Sequence, residues 1–254
     1  MAKIKAIFFD MDGTIIDTEK DGHRVAFNTA FKEFGYEISW NIDRYHELLQ
    51  IAGGKERIRH DMAGRGHLKN MASGEAEDLI KRIHKRKTEI FISLIENGQL
   101  LLRPGIHRFM KEAMDLGLVL GVCTTANERS AATVTRGLLS DIDFSLMLAG
   151  DVVGQKKPHP DIYRLALERT RLPAESCLAV EDSQNGIAAA KEAGLPVLAT
   201  TNEYTEKEDL SRADIVVNCL GDPGDEPVVV KKAGRKMEIT DVITVSQLID
   251  YFAD

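Results

Sequence analysis

The chain opens on a short apolar run, I-K-A-I-F-F at 4–9, that reads as a buried strand ending at Asp10. The stretch D-M-D-G-T that follows is turn-like, with Gly13 as its breaker. From Glu19 to about Gly98 the period becomes helical. Val25, Ala26, Phe27, Ala30, Phe31 and Phe34 recur at helical spacing. Leu79, Ile80, Ile83, Ile90, Phe91, Leu94 and Ile95 form the stripe of a long helix over 75–96, and no strand is expected between 19 and 98. After Pro104-Gly105 short apolar runs alternate with helical patterns. The spacing predicts strands at 118–123, 144–148, 177–180, 196–200 and 215–217. It predicts helices at 106–116, 128–138, 161–169 and 184–193, the last stopped by Gly194. A hairpin is expected at 227–239 and a last helix near 245–252.

Strands alternating with helices of about ten residues imply parallel pairing through crossover helices. The expected architecture is a doubly wound α/β core, built from 1–18 and 99–254, with a helical domain at 19–98 inserted after the first strand. The length, 254 residues, fits one to two domains. Hydrophobic residues at 43% and charged residues at 29% exclude a disordered or collagen-like chain. No stretch approaches the ~18 apolar residues of a membrane span, and 4–9 is too short for a signal peptide, so no membrane association and a cytoplasmic location are expected.

A net charge of -7 argues against a nucleic-acid surface. Cys123, Cys177 and Cys219 show no C-x-x-C or zinc spacing and read as buried thiols in a reducing compartment. The charge is uneven. The insert carries net +1 and five of the seven histidines, and the remainder net -8. A basic insert would suit an anionic substrate held beside a metal; solvated helix faces would give the same counts.

In an open parallel sheet, ligands sit beyond the carboxyl ends of the strands. That rule selects Asp10 and Asp12, Thr124 and Thr125, Lys157 in a loop, and Glu181-Asp182. Two acids two apart on an extended segment repel, so they need a cation or a shared proton. Carboxylates suit Mg2+, while a lysine and hydroxyls would cradle phosphate oxygens. These residue types together describe a magnesium-dependent phosphoryl-transfer site. One aspartate would be nucleophile and the other acid/base, without the residues saying which.

Asp10-Met11-Asp12-Gly13-Thr14 resembles the D-x-D-G-T signature of the haloacid dehalogenase (HAD) superfamily. Thr124, Lys157 in K-P-H-P-D-I-Y, and Glu181-Asp182 in V-E-D-S-Q-N-G follow in the family's order. The resemblance implies a HAD-type Rossmannoid sheet with an α-helical cap that closes over an active site between the two. It implies Asp10 as nucleophile, Asp12 as acid/base, and Mg2+ held by Asp10, the Asp12 carbonyl and Asp182 with Glu181 supporting. Thr124, Thr125 and Lys157 would hold phosphate. Asp12 argues against the dehalogenases themselves.

D-T-E-K-D-G-H-R-V-A-F-N (17–28), G-G-K-E-R-I (53–58), H-K-R-K-T-E-I-F (84–91) and L-R-P-G (102–105) resemble the CbbY-type sugar-phosphate phosphatases, which act on xylulose 1,5-bisphosphate. That implies substrate contacts from Glu19, His23, Gly54, Lys55 and Lys87. The related β-phosphoglucomutases carry a substrate lysine at the position matching Lys87. As plain residues, Lys55 reads as an exposed loop lysine, Lys87 as part of a solvated basic face, and Trp40 as packing within the cap. The tail beyond about Asp225 has no counterpart in this pattern. The expected activity is hydrolysis of a small sugar bisphosphate by a monomer. A mutase of the β-phosphoglucomutase kind, a phosphoglycolate or broad-range phosphatase, and a catalytically dead binding scaffold are the alternatives.

Overall fold

The structure is a computed structural model and describes residues 4–51, 53–235, 237 and 241–253. It divides into two compact units, one of Met1–Asp17 with Leu101–Asp254 and one of Thr18–Leu100. The first holds a seven-stranded sheet: β1 (Ala6–Phe9), β2 (Val119–Cys123), β3 (Leu146–Leu148), β4 (Cys177–Glu181), β5 (Val197–Thr200), β6 (Ile215–Val217) and β7 (Val230–Ala233). Their order is β3-β2-β1-β4-β5-β6-β7. All pairs are parallel except β6 with β7. Strands covered on both faces must be apolar throughout. β1, β4, β5 and β6 are accordingly buried at every position.

The sheet's helices are α5 (Ile106–Asp115), α6 (Glu128–Leu138), α7 (Asp161–Thr170), α8 (Gln184–Glu192) and α9 (Val245–Ala253). They start where a side chain can accept an orphan amide. Asn127 takes the Ser130 N–H at 2.9 Å to begin α6, and Ser183 takes the Gly186 N–H at 3.2 Å to begin α8. α5 starts at Gly105, which is left-handed and whose N–H donates to Asp222 at 2.7 Å.

The expected α/β alternation is present, with two differences. The strand expected over 144–148 forms only at Leu146–Leu148. In the tail, Val230–Ala233 pairs with β6 and supplies the sheet's antiparallel edge, where a hairpin within 227–239 was expected; 236 and 238–240 lie outside the described residues. The edge is blunted by charge: Lys231 bonds Glu206 at 2.6 Å and Lys232 bonds the Ser211 carbonyl at 2.6 Å.

The second unit is helical: a π-helical turn at Glu19–His23, then α1 (Arg24–Glu33), α2 (Ile42–Leu49), α3 (Gly54–Gly64) and α4 (Ser73–Glu96). The π turn replaces the regular helix start that the sequence pattern suggests. It brings Gly22 so near Phe91 and Leu100 that a Cβ would lie 2.7 Å from the Phe91 ring. α1 and α4 pack together. Trp40 is fully buried, its ring centroid 4.8 Å from Phe27 and 4.9 Å from Phe31. Its indole N–H donates to Asp61 at 2.8 Å.

Asp61 is 2% exposed and also accepts from Arg44 at 2.7 Å and Arg65 at 2.7 Å. Burial pushes its carboxyl up, and the Trp40, Arg44 and Arg65 donors outweigh that and hold it below the usual range. Removing a buried acceptor strands its donors. Asp61→Ala is therefore expected to cost on the order of 3 kcal/mol, read from the urea midpoint; an unchanged midpoint would contradict the arrangement.

Candidate active site

Register places the chemistry. Phe9 pairs with Val122 on one side and Val180 on the other. Asp10, Cys123 and Glu181 therefore emerge at the same end of three adjacent strands, and the Asp10 N–H continues the ladder to the Val180 carbonyl at 2.9 Å. The loop after Asp10 closes tightly: Gly13 N–H donates to Ile16 O at 2.8 Å, and Ile15 N–H to Met11 O at 2.9 Å. Gly13 is left-handed at φ +87°, and a Cβ there would collide with the Asp182 carboxylate. Only glycine allows the loop to lie so close.

Lys157, brought in by the loop before α7, lies among these strand ends. Its Nζ donates to Asp10 Oδ1 at 2.5 Å, Glu181 Oε1 at 2.6 Å and the Cys123 carbonyl at 2.9 Å. Lysine, aspartate and glutamate side chains are 7%, 10% and 1% exposed, so the ion pairs are desolvated. Burial works against the ammonium, but the Asp10 and Glu181 charges win and raise its pKa. Tyr163 on α7 donates its hydroxyl to the same Glu181 oxygen.

Two carboxyls are pushed toward their neutral forms. Burial raises Glu181 to about 7, against the pull of Lys157. Burial, with the Asp10 and Glu181 charges, raises Asp182 well above the carboxylate range. Three carboxylates against one ammonium in a buried space leave a deficit of positive charge, which a proton or a metal must supply. Asp182 is held by the Asn202 side-chain N–H at 2.7 Å. Thr124 is buried, and its hydroxyl accepts the Ala126 N–H at 3.0 Å; Thr125 is exposed and Asp12 half-buried.

Oxygens of Asp10, Glu181 and Asp182 lie within 4.8 Å of one another. Glu181 Oε2 is buried without a hydrogen-bond partner. An all-oxygen, carboxylate-rich set with an unsatisfied oxygen fits a hard divalent cation.

The helical unit gathers other expected residues. Glu19 accepts the Tyr45 hydroxyl at 2.5 Å. Lys87 is 7% exposed, unlike the solvated face that its basic run suggests, and its Nζ lies 4.7 Å from the Phe27 ring centroid. It bonds His23 Nδ1 at 2.9 Å. Burial, then Lys87, lowers the His23 pKa well below normal, so the imidazole is neutral and Nδ1 accepts. His84 is lowered to about 4 by burial and by Lys87 and Lys55. Gly54 begins α3, where a Cβ would lie 2.7 Å from His84 Nε2. Lys55 beside it is exposed.

Reasoning from sequence missed Tyr163, Asn202 and Arg103. Asn202 follows the end of β5, where the strand-end rule could have found it. Tyr163 and Arg103 stand inside K-P-H-P-D-I-Y and L-R-P-G, but act on residues distant in the chain.

The model of a haloacid dehalogenase-like hydrolase family matches residues 4–194. A CBBY-like protein of Arabidopsis thaliana is 43% identical over 225 residues, 87% of this chain and 70% of that protein. The crystal structure of a CbbY mutant from Rhodobacter sphaeroides in complex with xylulose-(1,5)bisphosphate is 38% identical at TM-score 0.72, covering 87% of this chain and 96% of that one. A putative β-phosphoglucomutase from Thermotoga maritima is 28% identical at TM-score 0.64, over 79% and 87%. With an aspartate at the end of the first strand, a buried lysine bonded to it and paired acids on the neighbouring strand, the chain belongs to the haloacid dehalogenase-like hydrolases and is a CbbY-like phosphatase.

Proposed function

We propose that this phosphatase is Mg2+-dependent and hydrolyses a small sugar bisphosphate of the xylulose 1,5-bisphosphate kind. The observation that carries the chemistry is the buried Asp10–Lys157–Glu181 set beside Asp182. Asp10 attacks phosphorus and becomes an aspartyl-phosphate as the sugar oxygen leaves. Asp12 gives that oxygen its proton. Asp12 then takes a proton from water, which attacks the intermediate, releases phosphate and restores Asp10. Lys157, with Thr124 and Thr125, holds phosphate oxygens as charge builds on them. Asp10, the Asp12 carbonyl and Asp182, supported by Glu181, would hold Mg2+, which when bound offsets negative charge on carboxylates and phosphate.

The substrate reading is supported by the likeness to the CbbY that binds xylulose bisphosphate. Within the helical unit, Lys87 and Lys55 beside two neutral imidazoles form a cationic cluster suited to a second phosphate. Glu19, His23 and Gly54 are proposed to contact the sugar.

The test is phosphate release with Mg2+ from xylulose 1,5-bisphosphate, ribulose 1,5-bisphosphate, β-glucose 1-phosphate and phosphoglycolate. A hundredfold preference in kcat/KM for the xylulose compound, about 2.7 kcal/mol of discrimination, is expected. Slow, even release from all four would overturn the substrate. Isomerised hexose phosphate without free phosphate would favour a mutase, the activity that the Thermotoga likeness brings into view.

A further inference from the structure

We propose that Arg103 is a positioning residue for the cation site: its guanidinium fixes the Gly13 carbonyl, and through it the catalytic loop and the Asp182 carboxylate. The inference rests on the metal-dependent reading above.

Arg103 gathers three segments that meet at the carboxyl end of the sheet. Nη1 donates to the Gly13 carbonyl and reaches Thr200 O and Oγ1 at 3.4 Å. Nη2 donates to Thr201 O at 2.5 Å and Asn218 O at 3.0 Å. The loop after β1, the end of β5 and the end of β6 thus share one planar fork. A lysine, with one nitrogen, cannot reproduce that geometry. The backbone makes the same link: Arg103 N–H donates to Ile15 O at 2.9 Å, and Leu102 bridges Ile16.

Gly13 carries the consequence to the acids. Its carbonyl is shared between Arg103 and the Asn202 side-chain N–H at 3.3 Å. That same Asn202 nitrogen holds Asp182 Oδ2 at 2.7 Å. Gly13 itself lies against the Asp182 carboxylate, with no room for a Cβ. Releasing the Gly13 carbonyl therefore releases both a bonded neighbour and a steric wall of Asp182. It also frees the loop that carries Asp12.

Arg103 spends its hydrogen bonds on carbonyl and hydroxyl oxygens rather than on a carboxylate, so its part is to tie these segments together.

The experiment compares Arg103→Met and Arg103→Lys with the unaltered protein. Mg2+ binding is measured by calorimetry without substrate, and kcat and KM at saturating Mg2+. Circular dichroism and a urea midpoint establish folding. Arg103→Met is expected to raise the Mg2+ dissociation constant at least tenfold and to lower kcat at least tenfold, with KM changed less than threefold. Arg103→Lys, which keeps charge but loses the fork, is expected to fall between. A dissociation constant within twofold of the unaltered value in a folded variant overturns the proposal, whatever the loss of stability. If Arg103→Met does not fold, Arg103→Lys decides by the same criterion. Unaltered protein that binds no Mg2+ overturns the metal-dependent reading and this inference with it. Unaltered protein that binds Mg2+ but spares xylulose bisphosphate overturns only the substrate; the binding comparison still decides the role of Arg103.

Discussion

Asp10→Asn is expected to lower phosphate release by about 10⁴-fold or more, because an amide oxygen is too poor a nucleophile to attack phosphorus. The substitution preserves shape. The side chain stays at the end of β1, where its backbone bonds Val180. It also removes one of three crowded negative charges, so the repulsion that raises Asp182 weakens. Lys157 keeps Glu181 and the Cys123 carbonyl as acceptors. The thermal midpoint without Mg2+ should therefore stay within a few degrees of the unaltered protein's while turnover disappears. The check is a pair of measurements on one preparation: phosphate release with saturating Mg2+, and thermal unfolding in EDTA. Turnover within tenfold of the unaltered enzyme would remove Asp10 from the nucleophile's role.

Lys157→Met has the larger effect on stability. The side chain is close in volume, but its ammonium is the cation bonded to both Asp10 and Glu181. Breaking a buried pair by deleting one partner strands the other charge, at about 3–5 kcal/mol. Here two carboxylates lose the same partner, and Glu181 Oε2 already lacks one. Unfolding free energy in EDTA should fall by about that amount. Added Mg2+ should restore part of it by supplying positive charge to the same acids. Activity should not return with stability, because the ammonium is also proposed to hold phosphate oxygens. A further loss of at least 10³-fold in kcat/KM is expected, on the scale of deleting a donor to developing charge. A loss of under 1 kcal/mol in EDTA would show that the ion pairs do not balance the acids.

The core strands were legible because strands buried on both faces must be continuously apolar. A run such as I-F-F that stops at Asp10 announces both the strand and its chemical end. The tail was harder to read. Val230–Ala233 is a half-polar edge strand, V-K-K-A, whose partner is the preceding strand, β6. Edge strands lack the apolar signature that marks buried ones. The turn at Glu19–His23 also escaped, because π-helical and α-helical turns share the same residue types, and the fit of Gly22 against Phe91 and Leu100 is seen only in the folded chain. Lys87 was misleading for a related reason. The run K-R-I-H-K-R-K looks like a solvated face, but a helix points its residues in all directions, and this lysine falls on the stripe with Ile80, Ile83 and Phe91.

The sequence by itself determined the kinds of groups and their order: two aspartates after the first strand, a threonine and an acidic pair at strand ends, and a lysine in a loop between them. Motif and periodicity suffice for that, since both are local. Only the tertiary structure decided how those charges balance. Lys157 meets Asp10 across 147 residues of chain, and Arg103 meets Gly13 across 90 and Asn218 across 115. The protonation of Glu181 and Asp182 depends on distances and on burial, which parallel register sets and which no residue type carries alone. Lys157 as the shared partner of two acids, and Arg103 as the tie between Gly13 and the ends of β5 and β6, therefore become visible only once the strands stand side by side.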